Sequence, residues 1–315
     1  MFGANHHARP TRFRRGQSVV VRSLSEILAT LDSEAKFEGI PFMPEMAQYC
    51  GRTLRVFRRV ENVYIDHHYH VARLSGTVLL EDVRCDGRAH HGCQMGCMML
   101  WKEAWLRPAG VAATADGGSD ARRGPPAPAL CLPTEKDGRF YCQATELMAA
   151  TTRLPWWDVR QYARALLLGE MSLGKLLGMI GLMGYNKLAA AVGRRPYQML
   201  RGTQEQAAHE SLNLQPGEWV EVKSRAEVEA TLDASGKHRG LAFVPDMTRH
   251  CGRRYRVARR VDRMIVEWTG QMRDLKDTVA LEGVTCRGVV QRACPRNCFH
   301  LWREAWLKRA VTPPS

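Results

Sequence analysis

The chain repeats itself. Residues 16–107 align with residues 217–308 at a constant offset of 201, without a gap and with 38 identities in 92 positions. "GIPFMPEMAQYCGRTLRVFRRV" becomes "GLAFVPDMTRHCGRRYRVARRV", and "CMMLWKEAWLR" becomes "CFHLWREAWLK". Chance does not produce such agreement, so the fold must be one that a unit of about 90 residues can build twice. With 315 residues in total, two or three domains are expected.

Each copy predicts the same small α+β unit. "VVVRS" reads as a strand, and Ser23 with Glu26 three residues on forms a capping box for "LSEILATLD". "RTLRVFRRV" alternates apolar and basic residues as a half-exposed strand does, and "TVLLEDVRC" is β-rich. Met98, Leu100, Trp101 and Trp105 have helical spacing, so "CMMLWKEAWL" predicts a C-terminal helix. The strand lengths and turn spacing resemble those of an SH3-like small barrel. Between the repeats, residues 108–140 read as a Pro-, Gly- and Ala-rich linker and residues 141–205 as a helical insert. Gly174 and Gly178 in that insert predict close helix packing, and Thr145 and Asp158 are candidate caps. The Arg- and His-rich residues 1–15 read as a flexible basic arm without the apolar core of a secretory signal. No run of about 20 uncharged apolar residues occurs, so no membrane helix and a cytoplasmic chain are expected.

In that setting cysteines serve as thiols or metal ligands rather than disulfides. Four recur in register: Cys50, Cys85, Cys93 and Cys97, matched by Cys251, Cys286, Cys294 and Cys298. A cysteine that merely packs would tolerate replacement by Ala, Val or Ser. Two four-cysteine sites, each holding a structural Zn²⁺, are therefore expected, with two Zn per chain. Gly51 would take a positive φ beside Cys50, and Cys93 and Cys97 would share a face at a helix start. An iron–sulfur cluster or haem thiolate, and free thiols or disulfides, are the alternatives. Cys131 and Cys142 lie outside the repeats and read as structural or incidental, with a redox pair as the alternative.

The copies differ in their histidines. His67, His68, His70, His90 and His91 belong to the first copy only; they are a candidate second metal site or an exposed, tolerant loop. The net charge of +14, from 46 basic and 32 acidic residues, favours an anionic partner such as nucleic acid. Arg55 and Arg59, with Arg256 and Arg260, are the candidate anion-binding strand face, Phe57 lying between the first pair. No Walker loop, GxGxxG, GxSxG or HExxH motif occurs, and no nucleophile–base pair is legible, so catalytic residues stay unassigned.

The pattern "RCDG…HGC…C…WKEAWL" resembles that of uncharacterised bacterial proteins. The resemblance covers each repeat and implies no activity. The sequence thus predicts a zinc-stabilised, duplicated binding protein for an anionic partner. A small-molecule enzyme with a metal, haem or iron–sulfur site, or a cleft between the repeats, is the rival reading, and a scaffold subunit the third.

Overall fold

The structure is a computed structural model that describes residues 13–65, 70–110, 132–154, 166, 172–193, 200–204, 211–288 and 294–310. His67, His68, Cys131, Asp158 and the first twelve residues lie outside that set. The chain divides into two compact units, the first built mainly from residues before Met171 and the second mainly from residues after it. Both units are antiparallel, with few helices. Among the described residues no helix is long and apolar enough to cross a membrane.

In the first unit Ser18–Val21 is flanked by Thr53–Ile65 and Leu106–Pro108, and His70–Leu80 pairs with Thr53–Ile65. In the second unit Trp219–Val222 is flanked by Arg254–Arg260 and Leu307–Arg309, and Thr278–Leu281 pairs with Arg254–Arg260. The registers recur at the offset of the sequence repeat. Ser18 faces Arg55 and Trp219 faces Arg256; Val21 faces Leu106 and Val222 faces Leu307. A bulge falls between Val56 and Arg58 in one unit and between Val257 and Arg259 in the other. The capping boxes recur as well, Ser23 with Glu26 and Ser224 with Glu227.

The C-terminal helix expected over "CMMLWKEAWL" does not form. Trp101–Lys102 and Leu106–Pro108 are strands around a single 3-10 turn, Glu103–Trp105, and residues 302–309 do the same. A helical stripe needs one polar face. Here Lys102 and Glu103 are buried together with the tryptophans, so the apolar spacing came from a run enclosed on nearly all sides. Lys102 is satisfied by Glu38 at 2.9 Å and the Ser75 carbonyl at 3.0 Å. The tryptophans form the core, with Phe42 edge-on to Trp101 and Trp105, and Phe243 edge-on to Trp302 and Trp306.

Residues between the repeats are also not uniformly linker and helix. Glu135–Lys136 and Arg139–Phe140 pair as a short hairpin, and Thr152–Arg153 adds an edge strand to His70–Leu80. Among the described residues Gln143–Glu146 and Leu173–Ala191 are helices, and the Thr145 hydroxyl accepts from the amide of the N-cap Cys142 at 3.0 Å.

Candidate metal centres

Each unit gathers a carboxylate, a thiol and an imidazole. Ligand atoms of Glu45, Cys85 and His90 all lie within 4.8 Å of one another, and so do those of Asp246, Cys286 and His300. Glu45 and Asp246 occupy the second position of matching 3-10 turns, Pro44–Tyr49 and Pro245–His250. Cys85 and Cys286 follow matching isolated bridges, Arg84 with Met98 and Thr285 with Phe299. These four residues align across the repeat. The imidazoles do not: His90 aligns with Gln291, and His300 with Met99.

The bridges also set the cysteine partners. With Arg84 opposite Met98, Cys85 stands opposite Cys97, and the Cys85 amide donates to the Cys97 carbonyl at 2.8 Å. Cys286 stands opposite Cys298 with the same bond at 2.8 Å. Directly opposed residues project to one side of the ladder with Cβ atoms about 5 Å apart. Cys97 and Cys298 are thus the thiols across the bridge from Cys85 and Cys286, while the sets whose ligand atoms all lie within 4.8 Å hold one cysteine each.

Two conformational details hold the first cluster. The loop after Cys85 turns at Gly87, whose carbonyl accepts from the amides of His90 at 2.9 Å and Gly92 at 3.0 Å. Gly87 has φ +70°, and a Cβ there would lie 2.0 Å from the Cys93 carbonyl oxygen. Gly87→Ala should therefore displace the loop and cost the first unit more than the roughly 1–3 kcal/mol of backbone strain alone. Gly92, with φ +74° and nothing within 4 Å of its would-be Cβ, is the control: Gly92→Ala should show strain only in urea unfolding.

Electrostatics bind the three groups together. Glu45 Oε1 accepts from His90 Nδ1 at 2.7 Å, the Ala89 amide at 3.2 Å and the Cys85 thiol at 3.8 Å. Burial alone would raise the Glu45 pKa, but the His90 hydrogen bond and charge bring it below the ordinary value. Burial likewise pulls His90 down, and the Glu45 hydrogen bond and charge reverse this, so the imidazole is held above its usual range. Glu45 Oε2 is buried with no hydrogen-bond partner, an orphaned oxygen inside a ligand cluster. In the second unit Asp246 Oδ2 accepts from His300 Nε2 at 3.2 Å and the Arg287 amide at 3.0 Å. Burial opposes ionisation of Asp246, yet these bonds and Arg249 take its pKa to about 2.

In the first cluster the imidazole is not placed as a base for the thiol, and both cluster thiols are held protonated. Burial, then the Glu45 charge, push the Cys85 thiol far above its ordinary pKa, and burial pushes Cys286 up to about 12. Both ring nitrogens of His90 are engaged, Nδ1 by Glu45 and Nε2 by the Tyr141 carbonyl at 3.0 Å, which leaves neither to take a proton from the thiol.

The predicted four-cysteine sets are regrouped. Cys50 and Cys251 end the 3-10 turns and are not among the residues grouped within 4.8 Å, and burial takes the Cys50 thiol up to about 11. Gly51 does have φ +76°, but its amide donates to the Val21 carbonyl at 2.9 Å instead of facing a sulfur. Cys93 and Cys97 are in loop, not at a helix start, and the Cys93 amide closes a turn onto the His90 carbonyl at 3.0 Å. Cys294 and Cys298 sit close enough to Cys286 for their thiolates to raise its pKa. No disulfide joins any two of the described cysteines.

The histidine set is divided too. His90 is buried in the first cluster; the neighbouring His91 is exposed, with its Nε2 3.3 Å from Glu135; His70 opens the strand His70–Leu80 opposite Ile65.

The expected anion-binding face does not assemble. The bulge after Val56 adds one residue, so Arg55 stays outside while Arg59 turns into the protein at 4% exposure. Arg59 pairs with Glu103 and Glu61, and Arg260 pairs with Glu304 at 3.0 Å. Arg55 and Arg256 remain at the surface, bonded to the carbonyls of Gly16 and Gly217 at 3.3 and 3.0 Å.

Compared with known proteins, the chain matches no protein-family profile, no curated sequence and no solved structure.

Proposed function

We propose that the chain is a metal-binding protein with two mixed sites. The first is formed by Cys85, Cys97, His90 and Glu45, the second by Cys286, Cys298, His300 and Asp246. One observation carries this reading: an imidazole reaches the same acid and thiol in both units from positions that do not align. Common descent accounts for the recurring acids and cysteines without any shared task. It does not account for His90 and His300, which arise at different points of the repeat. A buried carboxylate needing only a counter-charge is served equally by Arg or Lys, whereas neutral imidazole, thiolate and carboxylate together are the donors of a borderline-soft divalent cation. Zn²⁺ fits best, since four such donors complete its tetrahedron at about 2.0–2.3 Å and leave no position for substrate. The sites would then be structural, and the ion would tie the 3-10 turn, the loop and the Cys-bearing bridge of each unit together.

Cobalt substitution tests this on the full chain. The Co²⁺ form should show tetrahedral ligand-field bands with charge-transfer intensity for two thiolates per ion. An octahedral, oxygen-only spectrum or a four-thiolate spectrum overturns the assignment.

A further inference from the structure

We propose that the first metal site is also the docking point of the segment 132–147, so that ion loading and docking of that segment are thermodynamically coupled; this rests on the reading of the clusters as metal sites. The His90 ring spans the two. Its Nδ1 faces Glu45 at 2.7 Å and its Nε2 faces the Tyr141 carbonyl at 3.0 Å. A histidine that ligates through Nδ1 keeps its proton on Nε2, and a carbonyl acceptor there fixes both tautomer and ring plane. Tyr141 supplies that acceptor.

The rest of the segment grips the chain on either side of the ligands. Gln143 Oε1 accepts from the Leu100 amide at 2.7 Å, and its Nε2 donates to the carbonyls of Leu100 at 2.8 Å and Pro41 at 3.0 Å. Leu100 lies three residues after Cys97, and Pro41 four before Glu45. The Tyr141 hydroxyl donates to the Glu34 carbonyl at 2.6 Å, and Lys36 pairs with Glu146 at 2.9 Å. Tyr141, Cys142, Gln143 and Leu147 are all buried, so the segment is packed onto the site and not laid over it. The second cluster differs: the described contacts of its imidazole, His300, are Asp246 at 3.2 Å and the His250 ring, both of its own repeat. Coupling is therefore a property of the first site, and by linkage it runs both ways: the ion strengthens docking as much as docking strengthens the ion.

The test uses the full chain carrying Cys286→Ser, which isolates the first site, and the full chain carrying Cys85→Ser, which isolates the second. Zn²⁺ affinity is measured by chelator competition with and without Gln143→Ala, and amide exchange over 132–147 is followed with and without Zn²⁺. Gln143→Ala should weaken the first site at least about tenfold, shift its Co²⁺ ligand-field bands and leave the second site unchanged. Zn²⁺ should slow exchange across 132–147. Equal weakening at both sites reports general destabilisation and overturns the coupling, as do an unchanged first site and metal-independent exchange. Failure of either site to bind Zn²⁺ at all removes the metal reading itself, a result distinct from two loaded sites without coupling.

Discussion

Glu304→Ala should lower the stability of the second unit by about 3–5 kcal/mol, the range for stranding a buried charge. Glu304 is fully buried and serves five donors, the Ser211 hydroxyl at 3.5 Å among them. Its carboxylate accepts from the amides of Leu212, Asn213 and Leu214 at 2.6, 2.8 and 2.9 Å and from Arg260 at 3.0 Å. Arg260 also donates to the Leu214 carbonyl at 2.9 Å, so the pair closes the chain entering the repeat onto the sheet. Alanine leaves the guanidinium and three amides without their acceptor, and each buried orphan carries its own desolvation cost. Glu304→Gln keeps one acceptor oxygen and should fall between wild type and alanine in urea unfolding. The first unit has the same clamp: the Phe13 amide donates to Glu103 at 2.9 Å, and Arg59 donates to the Phe13 carbonyl at 2.8 Å. Glu103→Ala should thus destabilise the first unit comparably. A loss below about 1 kcal/mol in both variants would mean the clamp behaves as a surface pair.

Trp105→Ala is the second large effect, an expected loss of about 3–5 kcal/mol for a large aromatic removed from a packed core. Trp105 is fully buried, edge-on to Phe42 at 5.4 Å and near Phe37 at 6.4 Å, and its indole N–H reaches the Thr30 hydroxyl at 3.1 Å. Trp306 reproduces this with Phe243 at 5.1 Å and Thr231 at 3.1 Å, so Trp306→Ala should cost the second unit as much. Trp268, 48% exposed, is the contrast: Trp268→Ala should change unfolding by less than about 1 kcal/mol.

Much of the framework was legible because it obeys local rules. Alternation marked "RTLRVFRRV" as a strand, which the fold extends to Thr53–Ile65, the Ser23–Glu26 spacing marked a capping box, and the recurring tryptophans marked the core. What escaped depends on pairing between distant segments. A period-two reading places Arg55 and Arg59 on one face, and the single extra residue of the bulge reverses the second. Helical spacing in "CMMLWKEAWL" does not reveal that Lys102 and Glu103 are buried and bonded across the unit. The clamp places Phe13 opposite Leu214 in role, three residues before the sequence identity begins, because the backbone makes those bonds whatever the side chain.

The site was half legible. Register retention pointed to Cys85, Cys97, Cys286 and Cys298 but equally to Cys50, Cys93, Cys251 and Cys294, since sequence spacing does not show which thiols face each other across a bridge. Comparing the copies column by column set His90 apart from the shared features and passed over His300, because an imidazole arriving from another column looks like divergence. The readable signal was the acid: Glu45 in "MPEM" becomes Asp246 in "VPDM", keeping a carboxylate between a proline and a methionine that both copies share.

The central claim is tested most directly by the metal content of the full chain, measured by elemental analysis for wild type, Cys85→Ser, Cys286→Ser, their double variant and Cys50→Ser. Two mixed sites predict two ions in wild type, one in each single variant, none in the double variant and two in Cys50→Ser. Loss of an ion in Cys50→Ser, or retention of two ions in the double variant, would contradict the account.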